Sequence, residues 1–360
     1  MHNVKAVKPT VPLIVVSFFA ADVQAGVGPF LGIFLQAHGW TPDRIGTVLT
    51  IAGIVGMLVT APAGALVDAT PYRRTVVAGT GVLSVIAAVL IWLSQGFWTV
   101  TFSQVATAIA GAAMGPALAG LTLGMVGRQN FDRQFGRNQV ANHAGNIVAA
   151  GLSGWLGARL GMPYIFALSA AFGAACAAST FWIPVKSLHR HFARGFAKQD
   201  GDDMTETRAD SLRVLVKNRS LLVLAAPLAA FNIGNSAMLP LYSLAVAASH
   251  TADPSHVTAT NIIISQIVML IAAACASRLI SHFGFWHIIV VTLATLPLRA
   301  VTAAFVAPSW GIVPVQVFDG IGAGLQSVAV PALVVHLLHG SGRVNLGQGA
   351  CRGWSRRARV

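Results

Sequence analysis

The sequence predicts an all-α polytopic membrane protein built from two repeated helical bundles, the second of them incomplete. Three observations support this fold class. Of the 360 residues, 55% are hydrophobic and only 10% are charged, and the mean hydropathy is +0.69, which is too apolar for a soluble globular protein. Apolar runs long enough to cross a bilayer recur along the chain, and basic residues gather in alternate loops between them. The second half of the chain also repeats features of the first.

The apolar runs define ten predicted membrane spans. A span needs about 20 mostly apolar residues to cross the hydrocarbon of a bilayer. Ten stretches meet this requirement, at approximately 11–36, 45–67, 75–95, 98–126, 139–160, 163–184, 221–247, 257–279, 286–306 and 311–338. The first also resembles a cleaved signal peptide, because Lys5 and Lys8 precede it and a VQA sequence stands before Gly26. Its apolar run continues past Gly26, so we expect a retained helix.

The basic residues predict the orientation of these spans. With a cytoplasmic N-terminus, the inner segments hold 17 of the 24 Lys and Arg residues, whereas the outer loops hold only Arg44 and Arg159. Lys and Arg concentrate in cytoplasmic loops. We therefore expect a multi-pass protein of the cell (inner) membrane with its N-terminus in the cytoplasm.

A half-length repeat predicts the domain organisation. Thr41-Pro42 opens the second span and Asp253-Pro254 the eighth, AGAAMGPALAG at 110–120 corresponds to DGIGAGLQSVA at 319–329, and FGRNQ at 135–139 corresponds to SGRVN at 341–345. The offsets of 212, 209 and 206 residues (253−41, 319−110 and 341−135) indicate one drifting duplication. The domains expected from it are a six-helix bundle at 1–184, a cytoplasmic linker loop at 185–220, a partial bundle of four helices at 221–345 and an aberrant basic tail at 346–360.

A polar turn between spans two and three carries a family resemblance. The sequence GALVDATPYRR runs from Gly64 to Arg74. Together with the repeat and the central loop, it resembles the GxxxDRxGRR turn of the major facilitator superfamily. Gly64, Asp68, Arg73 and Arg74 match, whereas Ala69 replaces a basic residue and Pro71 the second glycine. The resemblance extends to about Ala350 and implies a non-enzymatic secondary transporter that moves a small molecule by alternating access.

The same resemblance implies that this turn is a conformational latch. In the family, the partner of the Asp68 position is the start of an eleventh span, and their contact favours closure towards the cytoplasm. A carboxylate gains about 0.3–1 kcal/mol at a helix N-terminus. The alternative is that Arg73 and Arg74 only anchor the inner membrane face.

The last residues do not continue this pattern. After GRVNLGQGA the sequence reads CRGWSRRARV, and its four arginines exclude a spanning helix there. We therefore expect a chain truncated after the tenth transmembrane helix, with Asp68 lacking its latch partner. A non-transporting remnant, or a sensor built on transporter helices, is the alternative function.

Three ionisable residues lie inside predicted spans, where such groups commonly mark an ion or substrate pathway. Asp22 lies about 11 residues into span one, or roughly 16 Å along a helix and near the bilayer midplane. Arg299 and Asp319 lie at equal depth in spans nine and ten, which also permits a structural ion pair. Asp22 is the candidate for handling a proton or a cationic substrate, with a hydrogen-bonded helix contact as the alternative.

Uncharged polar residues extend this candidate pathway. In the family, helices one, four, seven and ten line the central cavity, which implies the following pathway residues beside Asp22, Arg299 and Asp319: Gln24, Gln104, Asn232, Asn235 and Gln316. A further polar group comprises Asn142, His143 and Asn146 in span five. A single histidine in such a position is more commonly a hydrogen-bonded packing residue than a proton carrier.

Several other classes of protein are excluded or disfavoured. No GxxxxGK[ST] phosphate loop and no HExxH motif occur, so neither an ATP-driven pump nor a metalloprotease is indicated. The net charge is +13, but the sequence contains no soluble basic domain that would bind nucleic acid.

Cys176, Cys275 and Cys351 have no metal-binding spacing and are expected to be apolar fillers. The glycines at 111 and 115 and at 320, 322 and 324 predict close helix packing. We expect no cofactor and no metal; the predicted partners are a small molecule, with proton coupling, and the lipid bilayer.

Overall fold

The described part of the chain consists mainly of long α-helices. The computed structural model describes residues 10–25, 28–70, 72–161, 163–183, 224–228, 230–231, 234, 254–305 and 311–337. The helices of these ranges are α1 (Val11–Ala25), α2 (Gly28–Ala37), α3 (Pro42–Ala69), α4 (Arg73–Leu93), α5 (Phe97–Arg159), α6 (Pro163–Thr180), α7 (Pro254–Phe283), α8 (Phe285–Phe305) and α9 (Ile312–Leu337).

The helices confirm most of the predicted spans. Seven of those described are long and apolar enough to cross a membrane, and α5 alone contains predicted spans four and five. Prolines stand at the starts of α3 and α7, as the repeated Thr-Pro and Asp-Pro dipeptides predict. Of predicted span seven, residues 224–228, 230–231 and 234 are described, and they are helical. The linker at 185–220 and the tail at 346–360 lie outside the described residues.

Predicted span one is helical on both sides of residues 26–27, which lie outside the described residues. Helix α1 covers Val11–Ala25 and α2 covers Gly28–Ala37. The single helix expected over 11–36 stays a prediction at the two positions between them.

The predicted loop between spans four and five is also helical. Within α5, only Gly127 has a non-helical conformation, with φ 67° and ψ 177°. Such a left-handed φ is readily adopted by glycine. Beyond this kink, Phe131 and Phe135 are buried and their rings stack at 5.1 Å between centroids, while Arg133 and Arg137 are exposed. The segment is an amphipathic helix, so span five begins about a dozen residues earlier than its apolar sequence indicates.

The helices pack in two groups that meet along α5. Helices α1–α6 pack on one another and form the first helix group, and α7–α9 form the second helix group. Contacts of α5 with α7 and α9 connect the groups. Leu224 and Leu228 join the same apolar cluster as Phe131 and Phe135 of α5 and Leu333 of α9.

Glycines allow several of these helices to touch backbone to backbone. A Cβ atom at Gly320 would lie 2.8 Å from the carbonyl oxygen of Ser265, and one at Gly324 would lie 2.7 Å from that of Met269, so α9 packs directly on α7. Gly322 faces Thr295 of α8. The close packing predicted for the glycines at 320–324 is confirmed.

Exposed aromatic side chains mark the two ends of the helix bundle. Trp92, Trp98, Trp155 and Tyr164 are exposed near the α4–α5 and α5–α6 junctions, which we call the Arg159 end. At the opposite end, formed by the α3–α4 and α7–α8 junctions and the ends of α6 and α9, the exposed aromatics are Tyr72, Phe181, Trp182, Phe283 and Trp286. We call this the Arg73 end. Two aromatic belts separated by the length of a helix are typical of membrane proteins.

Candidate functional site

A buried ion pair joins the last two described helices. Arg299 on α8 has a side chain only 2% exposed, and its Nη1 atom lies 2.7 Å from Oδ1 of Asp319 on α9. Ser265 Oγ on α7 donates a 2.7 Å hydrogen bond to Asp319 Oδ2. The ion pair expected from the equal depth of the two residues is therefore present, and a serine of a third helix completes it.

Helix packing places these three side chains together. Gly320 follows Asp319 directly and lies against the Ser265 backbone, which brings α9 close enough for the serine to reach the carboxylate. Opposite charges that are shielded from water attract strongly, but each has also lost its hydration. The pair is consequently sensitive to any change that removes or neutralises one partner.

Asp22 lies in a second buried polar contact, between α1 and α6. Its side chain is buried, and Ser169 Oγ donates a 2.5 Å hydrogen bond to its Oδ2 atom. Phe18, Phe19 and Phe172 pack their rings on one another at the interface of the same two helices. The geometry is that of a hydrogen-bonded helix contact, and proton handling by Asp22 stays a prediction.

The other predicted pathway residues occupy different positions. Gln104 is half-buried and lines a small cavity together with Ser84, Ser103, Thr107 and Ser169, so that Ser169 connects this cavity to Asp22. Gln24 is half-buried on α1, and Gln316 is almost fully buried on α9, one turn before Asp319. The predicted residues Asn232 and Asn235 lie outside the described residues.

The predicted latch motif connects α4 to α6. Arg74 Nη1 donates a 3.0 Å hydrogen bond to the Ile183 carbonyl oxygen, and its guanidinium lies 5.0 Å from the centre of the Phe181 ring. Arg73 is buried at the start of α4, and Gly64 is buried on α3. The Asp68 side chain lies outside the described part, so the latch stays a prediction, whereas Arg74 contacts the end of a neighbouring helix.

A contact between the helix groups at the Arg73 end was missed by sequence reasoning. Arg128 Nη2 lies 2.9 Å from His336 Nδ1, and His336 Nε2 lies 3.2 Å from Asp132 Oδ2. The ring of Phe285 packs on His336 at 5.0 Å between centroids. The available signal was the one-turn spacing of Arg128 and Asp132, which becomes informative only once the segment is known to be helical.

The polar group of span five does not form a single site. Asn142 Nδ2 donates a 3.2 Å hydrogen bond to the Ser17 carbonyl oxygen of α1. His143 turns towards the second helix group, where its Nδ1 lies 2.9 Å from Gln266 Oε1 and its Nε2 lies 3.4 Å from Ser327 Oγ. The histidine is thus a packing residue of an unexpected kind, because it connects the two groups of helices.

The cysteines and potential metal ligands have ordinary surroundings. Cys176 is buried in an apolar cluster, as expected of a filler, whereas Cys275 is exposed on α7, so the filler prediction is wrong there. Within the described ranges, no three His, Cys, Asp or Glu side chains come together as metal ligands.

Comparison with known proteins gives consistent similarities. Residues 13–356 match the family model described as Major Facilitator Superfamily. The chain is 35% identical over 351 residues to uncharacterised MFS-type transporters from two Mycobacterium tuberculosis strains, an alignment that covers 97% of this chain and 84% of each relative.

Three solved transporter structures share the fold. A bacterial homologue of the iron transporter ferroportin, in its outward-facing state, has a TM-score of 0.70 at 14% identity, and the match covers 97% of this chain and 89% of the homologue. The nucleoside transporter NupG has a TM-score of 0.65 at 15% identity, and the match covers 97% of this chain and 90% of NupG. The human organic anion transporter MFSD10 has a TM-score of 0.74 at 14% identity, and the match covers 98% of this chain and 92% of MFSD10.

Proposed function

Because the chain belongs to the major facilitator superfamily, we propose that it is a secondary transporter that moves a small molecule across the cell (inner) membrane by alternating access. The observation that carries this proposal is the buried Arg299–Asp319 ion pair, which Ser265 completes inside the helix bundle. Ionisable groups are expensive in this position and mark substrate or ion pathways.

The pathway runs between the two helix groups. We assign to it the polar residues of the cavity-lining helices, which are Asp22, Gln24, Gln104, Asn232, Asn235, Arg299, Gln316 and Asp319. Asp22 takes up the coupling proton, and its bond to Ser169 is compatible with either protonation state, because a carboxyl and a carboxylate both accept hydrogen bonds.

The contacts of α5 support a closed passage at the Arg73 end. The side-chain hydrogen bonds described between the helix groups lie on α5 from Arg128 to His143. With the N-terminus in the cytoplasm, the Arg73 end faces the cytoplasm and the state is closed on that side. We assign the conformational latch motif to Gly64, Asp68, Arg73 and Arg74; within it, Arg74 fastens α4 to α6 inside the first helix group.

The domain organisation follows from the repeat. Residues 1–184 form the first bundle, 185–220 the cytoplasmic linker loop, 221–345 the partial second bundle and 346–360 the basic tail. Rocking of these two bundles about a midplane site is how transporters with internal repeats alternate their access.

The transport proposal is tested with reconstituted protein and a defined mixture of small metabolites. Proteoliposomes are loaded with the mixture, a proton gradient is imposed, and mass spectrometry of the external solution identifies any compound that crosses. We expect at least one compound to cross faster than it does in protein-free liposomes.

A locked form of the same protein is the matched control. A Cβ atom at Gly136 of α5 would lie 3.8 Å from Ser277 Cβ of α7, which is the separation found in disulfides. In a background with Cys176, Cys275 and Cys351 replaced by alanine, the pair Gly136→Cys and Ser277→Cys should form a disulfide that stops the flux, and reduction should restore it. Equal release of every compound from locked, reduced and protein-free liposomes would favour the non-transporting alternative.

A further inference from the structure

His143 connects the two helix groups deep inside the interface and not at its rim. Its side chain is buried, and its two ring nitrogens contact Gln266 of α7 and Ser327 of α9. Both partners belong to the second helix group, whereas the histidine belongs to the first. Any separation of the groups at this level must break these contacts.

The helix that carries His143 is held firmly on its other side. Asn142 bonds to the Ser17 carbonyl oxygen, and Gly145 lies directly against the Phe18 backbone, where even a methyl group has no room. Both contacts join α5 to α1 within the first helix group. Because α5 cannot withdraw from α1 at this level without losing them, the His143 contact opens by movement of α7 and α9.

The partner of His143 is adjacent in sequence to the partner of Asp319. Gln266 faces α5, whereas Ser265, the preceding residue of α7, donates its hydroxyl hydrogen to the Asp319 carboxylate. Consecutive residues of a helix point about 100° apart, so one turn of α7 contacts the ion pair with one side chain and the interface with the next. The close packing of Gly320 and Gly324 on α7 keeps this turn within reach of the Asp319 carboxylate.

We propose that Ser265 and Gln266 couple the Arg299–Asp319 ion pair to His143, which makes His143 a positioning residue of the transport cycle. When the ion pair is intact, Ser265 is held by Asp319, and Gln266 is presented to His143. When cargo or a proton alters the ion pair, the bond to Ser265 weakens, α7 shifts, and Gln266 leaves the histidine. This inference rests on the proposed function, since it explains how events at the ion pair open the passage.

The experiment measures closure directly and needs no cargo. In the cysteine-replaced background, the initial rate of disulfide formation between Gly136→Cys and Ser277→Cys reports how often α5 and α7 are in contact. This rate is compared for four full-length proteins: the one that keeps both His143 and Ser265, the single variants Ser265→Ala and His143→Ala, and the double variant that carries both substitutions. Thermal unfolding of each protein, followed before oxidation, reports stability separately.

We expect Ser265→Ala to slow cross-linking about two- to tenfold when His143 is present, as the loss of one hydrogen bond from a closed state predicts. In the His143→Ala protein, the same substitution should have no further effect, because the residue that receives the signal is gone. Equal slowing in both backgrounds, or no slowing in either, would overturn the proposal. A merely structural His143 would lower the unfolding temperature without removing the effect of Ser265→Ala.

Two further variants keep the test decisive. His287→Ala is the matched control, because His287 is an exposed histidine of α8 whose described hydrogen bond is to the Phe283 carbonyl oxygen, and the effect of Ser265→Ala should persist in it. If His143→Ala does not fold, Gln266→Leu removes the same contact from the α7 side and should abolish the effect of Ser265→Ala equally. Cross-linking is measured without cargo, so the two proposals can fail separately. If Ser265 and His143 are not coupled, the flux experiment still tests transport. If no compound crosses the membrane, the cross-linking experiment still tests the coupling.

Discussion

Asp132 on α5 and His336 on α9 approach to 3.2 Å across the boundary between the two helix groups. Both side chains are about 30% exposed, at 28% and 31%. A contact between partly exposed polar side chains contributes little to stability, because water and salt screen its attraction. The contact is therefore suited to a boundary that opens in the proposed transport cycle, unlike the buried ion pair of Arg299 and Asp319.

We expect Asp132→Asn to weaken closure while leaving stability nearly unchanged. The free energy of unfolding should fall by less than about 1 kcal/mol. Cross-linking between Gly136→Cys and Ser277→Cys should nevertheless slow, because one contact between the groups is lost. Asp43→Asn at the opposite end is the control, since Asp43 is exposed in the first turn of α3. The interpretation fails if both substitutions change cross-linking equally.

Neutralising one partner of the buried ion pair should have a much larger effect on stability. Asp319→Leu leaves the Arg299 charge without its described counter-ion inside the bundle, a change that typically costs about 3–5 kcal/mol. Denaturation of the purified protein in detergent measures this loss.

The double variant Arg299→Met and Asp319→Leu is the companion measurement. Replacing both charges with apolar side chains of similar size removes the uncompensated charge, so much of the lost stability should return. A double variant as unstable as Asp319→Leu would mean that packing, and not charge, dominates the single substitution.

Asp22→Asn should abolish proton-coupled flux with only a small loss of stability. The Asn oxygen can still accept the hydrogen bond from Ser169, so the contact between α1 and α6 is retained, but the side chain no longer titrates. The measurement is the dependence of flux on external pH in proteoliposomes, using a compound identified by the mass-spectrometric test. An unchanged pH dependence in Asp22→Asn would remove Asp22 from the proton pathway.

Ser169→Ala and Ser179→Ala compare the contributions of two serine hydrogen bonds of α6 to the free energy of unfolding, measured by denaturation in detergent. Both serines lie on α6, but the described side-chain bond of Ser179 is to the Cys176 carbonyl oxygen of its own helix, whereas Ser169 bonds to Asp22. Ser169→Ala should lower stability by about 0.5–1.5 kcal/mol, as expected for the loss of an intramolecular hydrogen bond between two helices, and Ser179→Ala by less. Equal losses would argue that the Ser169 bond has no special weight.

The sequence predicted the parts of this structure that depend on local properties. Apolar length identified the spans, and equal depth paired Arg299 with Asp319. Prediction from hydropathy failed between Gly127 and Asn138, because a helix that alternates buried phenylalanines with exposed arginines does not reach the hydropathy of a membrane span. The contacts of His143 and His336 were beyond prediction, since they join residues 123–208 positions apart whose proximity depends on how two helix groups meet.

The orientation of the chain is testable by labelling single cysteines. Ser94 lies at the Arg159 end and Ser281 at the Arg73 end, and both are exposed. In the cysteine-replaced background, a membrane-impermeant maleimide should label Ser94→Cys in intact cells and Ser281→Cys only after permeabilisation, because basic loops are retained in the cytoplasm. The reverse pattern would invert the topology and place the closed end outside the cell.

The crossing of α4 and α6 provides a test of packing that is independent of transport. A Cβ atom at Gly81 would lie 2.7 Å from the Gly173 carbonyl oxygen, too close for any real contact, whereas one at Gly79 would meet nothing within 4 Å. Gly81→Ala should therefore destabilise the protein by about 1–3 kcal/mol, because two backbones must separate. Gly79→Ala should be neutral or stabilising, since alanine is the better helix former and has open space there. Thermal unfolding in the same detergent compares them, and a Gly81→Ala protein as stable as Gly79→Ala would show that α4 and α6 do not cross at these two glycines.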